Sequence, residues 1–265
     1  MTVMQKGVYN LKNSKDFVEQ RRERIMTLLG QHGEIKVSEL SATLGFSPLT
    51  IRRDLEALEK NGLLQRQHGG AVPAGRVGES AITSLVLRCR HAIAQKAASL
   101  LEAGDVIFIN SSSTALLAIE YIQASNVTVI TNNARAINCK KRDDTNIILL
   151  GGEIRFPKGA LSGEFAITNL SGVTATKSLL GCSGLTDTEG FTTVALQEVA
   201  INRLMLERVT GDRIVLADHQ KIGKQYMFIS GAPDQFNCLI TDQYADPSTL
   251  SNLSAKGLQI YQEDV

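Results

Sequence analysis

Ser47, Thr50, Arg52 and Arg53 crowd into one short stretch, SPLTIRRDLEALEKNG, over residues 47–62. Hydroxyls and guanidinium groups at the start of a helix suit the gripping of a polyanion. The planar arginine fork bonds guanine O6 and N7 together or clasps phosphate oxygens. A second set of polar residues is spread further along the chain, in NSSST (110–114), TNN (131–133), GGE (151–153) and GCSG (181–184), with Lys221 in LADHQKIG. Small hydroxyls, close-approach glycines, backbone N–H groups and one ammonium suit a compact anion.

The elements that must carry the first set are legible from periodicity. Val18, Ile25, Leu28 and Leu29 recur at helical spacing in DFVEQRRERIMTLLGQHG, which stops at Gly33. VSELSATLG puts Val37, Leu40 and Leu44 on one face and ends at Gly45, a residue suited to the left-handed C-cap. After the turn Gly45-Phe46-Ser47, Ser47 is placed as an N-cap and Pro48 as the first helical residue. On the wheel of this third helix Ile51, Leu55 and Leu58 cluster, and Arg53 lies opposite them. An Arg-Arg pair alone usually solvates a helix face. Two helices joined by a tight turn, the second displaying Ser47, Thr50, Arg52 and Arg53 in its first turns, form a helix-turn-helix. LLQRQHGGAV then reads as a hairpin wing with Arg66, Gln67 and His68 at its tip.

The second set follows a different pattern. From residue 91 onward, helical stretches (91–102, 115–123, 134–140, 196–209, 247–254) alternate with short apolar strands (106–110, 127–131, 147–150, 177–181, 213–217, 237–241). This alternation predicts a mostly parallel α/β sheet covered on both faces, which binds ligands at the carboxyl ends of its strands. Ser111, Ser112, Ser113, Thr114, Asn132, Gly151, Gly152, Gly181 and Gly184 all fall at such ends. Each short run alone would serve as a cap or turn. PAGRVGESAITS, rich in small and polar residues, reads as a linker. The expected organisation is an extension over 1–16, a winged helix-turn-helix over 17–73, a linker over 74–87 and an α/β domain over 88–265.

Composition adds limits. The chain of 265 residues is 43% hydrophobic and 21% charged, with a net charge of +1. Between Lys12 and Val72 ten basic residues face eight acidic ones, a balance of +2, so net charge does not announce a nucleic-acid partner. No apolar run approaches the ~18 to 20 residues of a membrane span, and MTVMQKGVYNLKNSKD lacks a continuous apolar segment, so the expectation is a cytoplasmic protein without a membrane partner. Cys89, Cys139, Cys182 and Cys238 form no CxxC pair and no His lies at zinc-ligand spacing, so four buried thiols, no metal and no cofactor are expected.

VSELSATLGFSPLTIRRDLEALEKNGLLQRQHGGAV closely resembles the winged helix-turn-helix of the DeoR-type family of bacterial repressors of sugar metabolism, in its TIRRDL core and its HGGA wing. LADHQKIG resembles the Asp-His-x-Lys segment of the same family's sensor domain, and the order of TNN, GGE, G-x-x-G and this segment matches across residues 88–242. The resemblance implies that Arg52 and Arg53 contact DNA and that Asp54 buttresses the helix by pairing with a neighbouring basic side chain. It also implies the fold of ribose-phosphate isomerases used as a sensor of phosphorylated sugars, with Lys221 as a cation for phosphate or carboxylate. Departures fall at FSP in the turn, at Asn110 and Ser112 where the family has an acid and a glycine, and at Ala200 and Asn202 where it has an acid and a lysine.

These readings favour a repressor of a sugar or sugar-alcohol operon that binds a double-stranded DNA operator and a phosphorylated sugar effector as a homo-oligomer, dimer or tetramer. An isomerase fused to a DNA-binding unit is the alternative. Its acid–base candidates would be Asp187, Glu189 and Glu198 beside Lys221, but nothing in the sequence selects a pair, and DTEG (187–190) reads as a hairpin turn. No catalytic residue is assigned. A third possibility is a DNA-binding protein whose second domain only oligomerises.

Overall fold

The computed structural model describes residues 15–60, 63–67, 69–73, 77–156 and 158–265. Chain contacts divide into two compact units, Met1–Ser84 and Leu85–Val265.

The first unit runs α1 (Lys15–His32), β1 (Ile35–Lys36), α2 (Val37–Leu44), α3 (Pro48–Lys60), β2 (Leu64–Gln67) and β3 (Gly70–Pro73). Ile25 and Leu29 from α1, Leu40 from α2, and Ile51, Leu55 and Leu58 from α3 close on one another with Ile35, Leu64 and Ala71. The helical stripes in the sequence are therefore the core. β3 lies between β1 and β2 and pairs antiparallel with both, so the wing becomes the outer part of a three-stranded sheet. Gly45 ends α2 with φ 70°, and the backbone N–H of Thr50 donates to the Ser47 Oγ at 3.2 Å, capping α3. The Arg21 guanidinium stacks 4.6 Å over the Phe46 ring, which fixes the turn between α2 and α3.

The second unit begins within α4 (Val77–Ser99) and continues with β4 (Val106–Ile109), α5 (Ser113–Tyr121), β5 (Thr128–Thr131), β6 (Asn146–Leu149), β7 (Glu153–Arg155), β8 (Ala160–Ser162), α6 (Glu164–Ser171), β9 (Lys177–Gly181), β10 (Gly184–Thr186), β11 (Gly190–Thr193), α7 (Leu196–Glu207), β12 (Arg213–Leu216), β13 (Phe228–Gly231), β14 (Cys238–Asp242), α8 (Pro247–Ala255) and β15 (Gln259–Glu263). Seven of these strands form one parallel sheet in the order β15-β14-β12-β9-β4-β5-β6. Period-two geometry sends alternate side chains to opposite faces. Phe108, Leu180, Val215 and Leu239 join the α6, α7 and α8 layer, whereas Ile107, Ile109, Leu179, Ile214, Leu216 and Ile240 join the α4 and α5 layer. Continuous apolar runs such as VIFI and RIVL are what a strand buried on both faces requires.

Several elements differ from expectation. The helix expected from residue 91 begins at Val77, so residues 77–84, expected as linker, are helical. That stretch is small and polar but holds no proline, and Gly78 falls in the first turn, so its composition suggested a break the backbone does not need. Residues 134–140 make only a 3-10 turn, Ala134–Asn138, in which the Cys139 N–H bonds the Ala136 carbonyl three residues back. The β7–β8 hairpin, α6, the β10-β11-β13 sheet and β15 were not anticipated. DTEG joins β10 to β11 in antiparallel register, Thr186 opposite Gly190. Among the four thiols, Cys89 and Cys238 are buried and Cys139 and Cys182 only partly so.

Candidate functional site

The α3 face. Arg52 and Arg53 are exposed on α3, on the side away from the fully buried Ile51 and Leu55, and neither has an ion-pair partner among the described residues. What holds that face in place lies beneath it. Asp54 is 2% exposed and accepts from Arg21 Nε at 2.5 Å and Arg22 Nε at 3.0 Å, so two arginines of α1 clamp α3 through one carboxylate. Ser47 and Thr50 share a 2.9 Å hydroxyl contact at the start of α3. Arg66 is bound to Glu59 instead of standing free, with Nε 2.7 Å from Oε2 and its backbone N–H 2.9 Å from Oε1. These bonds from Arg66, its backbone N–H first, hold the Glu59 carboxyl below its usual range. Gln67 is exposed on β2, and His68 lies outside the described residues.

The sheet-end cavity. β4 is where the strand order turns, because β5 and β6 extend from one side of it and β9, β12, β14 and β15 from the other. A crevice opens at the carboxyl ends of strands where the order reverses. A cavity of about 530 Å³ occupies this position, lined by Asn110 through Thr114 after β4 and Gly181 through Ser183 after β9. Ser112 caps α5 by accepting from the Ala115 N–H, and the first-turn N–H groups of Ser113 and Thr114 have no partner within the helix. The helix N-terminus therefore offers both donors and a positive dipole end to an anion.

Asn110 is the latch of this turn. Its Nδ2 donates to the Gly181 carbonyl at 2.8 Å and to Asn202 Oδ1 at 3.0 Å, while its Oδ1 accepts from the N–H groups of Gly181 and Ser112. Asn202 continues the chain to the Ser230 hydroxyl at 3.1 Å. The departures at 110 and 202 are therefore in direct contact, and both amide hydrogens of Asn110 are used, a task a carboxylate cannot perform. The departure at 112 also has a structural partner, since a Cβ on Gly181 would lie 1.9 Å from the Ser112 Oγ. Gly181 makes room for Ser112.

Charge around the cavity is mostly tied. Arg90 Nε lies 2.8 Å from the buried Asp218, and Lys158 Nζ lies 2.9 Å from Glu198. Glu198 also accepts from Ser111 Oγ at 2.9 Å and Thr193 Oγ1 at 2.6 Å. Its two oxygens are thus engaged by three donors. Lys221 lines the same space, and its ammonium has no ion pair or side-chain hydrogen bond among the described residues. Burial pushes the Cys182 thiol up to about 12 even though Lys221 pulls the other way, so it stays protonated at neutral pH.

Of the expected residues, Ser111, Ser112, Ser113, Thr114, Gly181 and Lys221 line the cavity; Asn132, Gly151, Gly152 and Gly184 do not. Asn132 is buried and donates to the Leu161 carbonyl, and Gly152, at φ 101°, would drive a Cβ to 2.4 Å from the Ser162 carbonyl. Gly184 packs against the Lys224 backbone, and Gly151 sits at φ 75° beside Asn169. These positions build turns and hairpins. Asn133, of the TNN motif, also lines the cavity, and Arg90, Arg135, Lys158 and Thr193 line it without having been singled out, because their helix, turn or hairpin was read wrongly or not at all. Asp187 and Glu189 lie in the β10–β11 turn, outside the cavity lining.

Residues 21–75 match the DeoR-like helix-turn-helix domain, and residues 87–243 match the DeoR C terminal sensor domain. The chain belongs to the DeoR-type family of transcriptional regulators. This regulator is 33% identical over 244 residues to the lactose phosphotransferase system repressor of Streptococcus mutans serotype c, spanning 89% of this chain and 96% of that protein. It is 29% identical over 246 residues to the glycerol-3-phosphate regulon repressor of Escherichia coli K12, spanning 91% and 97% of the two. A ribose-5-phosphate isomerase solved in complex with phospho-erythronic acid aligns with half of the chain (50%, and 52% of that chain) at 16% identity and a TM-score of 0.36. A DNA-binding unit joined to a sensor unit makes this DeoR-type regulator a transcription factor, not an isomerase. Among the described residues no helix is long and apolar enough to cross a membrane.

Proposed function

We propose that this regulator represses an operon for catabolism of a sugar or sugar alcohol, and that a phosphorylated sugar bound in the sheet-end cavity shifts its affinity for the operator. The observation that carries the reading is the Lys221 ammonium, without an ion pair among the described residues, sharing a cavity with the N-terminus of α5. A cation and a set of fixed N–H and hydroxyl donors fit a phosphate, and the Glu198–Lys158–Ser111 network fits the hydroxyls of the carbon chain. The names of the two relatives, a phosphotransferase-system repressor and a glycerol-3-phosphate regulon repressor, agree with this class of ligand.

In this reading the winged helix over residues 17–73 reads double-stranded operator DNA through Ser47, Thr50, Arg52, Arg53, Arg66, Gln67 and His68, and residues 88–265 sense the effector. The protein works in the cytoplasm as a homo-oligomer, a dimer or a tetramer, because one small winged helix covers few base pairs and affinity grows when several units meet spaced half-sites. A ligand changes operator affinity only through unequal binding to two states, with coupling of typically ~1 to 3 kcal/mol.

A thermal-shift screen of phosphorylated sugars and sugar alcohols against the full chain tests the reading. At least one phosphorylated compound stabilises the protein and shifts operator titrations, while its unphosphorylated form does neither. Lys221→Ala keeps operator binding and loses the response. Stabilisation by unphosphorylated sugars alone, or a full response in Lys221→Ala, overturns phosphate sensing.

A further inference from the structure

Cys89 on α4, His219 after β12 and Asp242 at the end of β14 are far apart in sequence, which hid them from any reading of ligand spacing. In the fold their ligand atoms come within 4.8 Å of one another. His219 Nδ1 lies 3.9 Å from Cys89 Sγ and 3.0 Å from Asp242 Oδ1. We propose that these three side chains bind a zinc-type divalent ion.

Tetrahedral zinc with ordinary Zn–S, Zn–N and Zn–O bonds separates its ligand atoms by about 3.3 to 3.6 Å. The two separations from His219 Nδ1, 3.9 and 3.0 Å, fall within a few tenths of an ångström of that range, and the thiol and carboxylate atoms lie within 4.8 Å of each other. Thiolate, imidazole and carboxylate together suit a borderline-soft ion and not calcium or magnesium, which take oxygen donors. Charge points the same way. Asp242 is fully buried, and its only side-chain ion partner among the described residues is His219, whereas the nearby Asp218 is already neutralised by Arg90. The carboxylate is held in place by the backbone N–H groups of His219 and Tyr244, and the Tyr244 ring stands edge-on to the imidazole at 5.6 Å. Fixed outer contacts of this kind orient ligating side chains.

A nucleophilic triad is the other chemistry these residue types suggest, and the geometry rejects it. One nitrogen, Nδ1, faces both the thiol and the carboxylate, so the ring cannot take a proton from Cys89 while donating from a second nitrogen to Asp242. Burial and the Asp242 charge also push the thiol up to about 11. An ion displaces that proton to solvent on binding the sulfur. The fourth position is left to water.

Cobalt(II) titration of the reduced, metal-stripped full chain tests the site, because a thiolate bound to cobalt gives a near-ultraviolet charge-transfer band. The band appears, saturates at about one ion per chain, and is displaced by zinc. Cys89→Ser abolishes it, and His219→Gln and Asp242→Asn weaken cobalt binding by about tenfold or more. No band in the wild-type chain, a band of equal strength in Cys89→Ser, or unchanged affinity in His219→Gln overturns the site. Thermal unfolding without metal establishes which variants fold, and His219→Gln decides the question if Cys89→Ser does not.

Discussion

The two units handle positive charge in opposite ways. On α3, Arg52 and Arg53 stand exposed without ion-pair partners among the described residues, while the arginines behind them, Arg21 and Arg22, are locked onto a buried carboxylate. Around the sheet-end cavity Arg90 and Lys158 are tied to acids, and Lys221 has no ion pair among the described residues. In the proposed function the difference follows from what each surface meets. DNA is a long polyanion whose condensed counterions are released when protein cations take their place, so exposed arginines on a rigid scaffold suffice. A small anion must be distinguished from water and from other anions, so its donors are fixed in advance and the remaining charges are compensated.

The sharpest way to break the first half of this contrast is to remove the clamp beneath the exposed face. Asp54→Ala leaves the Arg21 guanidinium, whose side chain is 6% exposed, without its carboxylate. Removing one partner of a buried ion pair costs about 3 to 5 kcal/mol. The winged helix then melts separately, at a lower temperature than the sensor unit, and operator binding disappears while effector-induced stabilisation of the sensor unit persists. Calorimetry of the variant that shows both units still melting as in the wild type would remove the clamp from the account.

A smaller effect is expected in the sensor unit, where space and not charge is the weak point. Gly181→Ala places a Cβ 2.3 Å from the Ser112 Cβ, a backbone-near atom that cannot swing away. Overpacking of this kind costs about 1 to 3 kcal/mol. Ser112→Gly alone costs a few tenths, about the difference between serine and glycine as an N-cap. In the double variant most of the Gly181→Ala loss returns. Denaturation midpoints of the sensor transition in the four proteins measure this, and additive losses would show that the two residues do not share the space.

How much of this was readable in sequence depended on whether the signal was local. Ile51, Leu55 and Leu58 mark the α3 core stripe by spacing alone, and Pro48 and Gly45 mark the ends of elements by their own backbone limits, so the helix-turn-helix emerged whole. The sheet followed from runs such as VIFI and RIVL. The cavity was only half legible. Ser111 to Thr114 and Gly181 follow recognisable strands, but Asn110 meets Asn202, and Lys158 meets Glu198, across separations of 92 and 40 residues that no periodicity encodes. Gly151, Gly152 and Gly184 fall outside the cavity lining, because a glycine at a strand end marks a tight backbone, and backbone can be tight against a hairpin as readily as against a ligand.

The finest cut falls between the two exposed arginines themselves. Arg53 lies opposite the buried stripe of α3 and is assigned to a base edge, so Arg53→Ala weakens operator binding by about 1 to 3 kcal/mol and reduces discrimination against non-operator DNA, with folding unchanged. Arg52 is assigned to phosphate. Its replacement by alanine weakens operator and non-operator DNA alike, and lowers the slope of log affinity against log salt by ~0.9, the share of one phosphate contact. Operator and random duplexes titrated at several salt concentrations separate the two behaviours. If Arg53→Ala shifts both duplexes equally while Arg52→Ala shifts only the operator, the roles are exchanged. If neither variant changes affinity, α3 is not the element that reads DNA, and the exposed pair only solvates the helix.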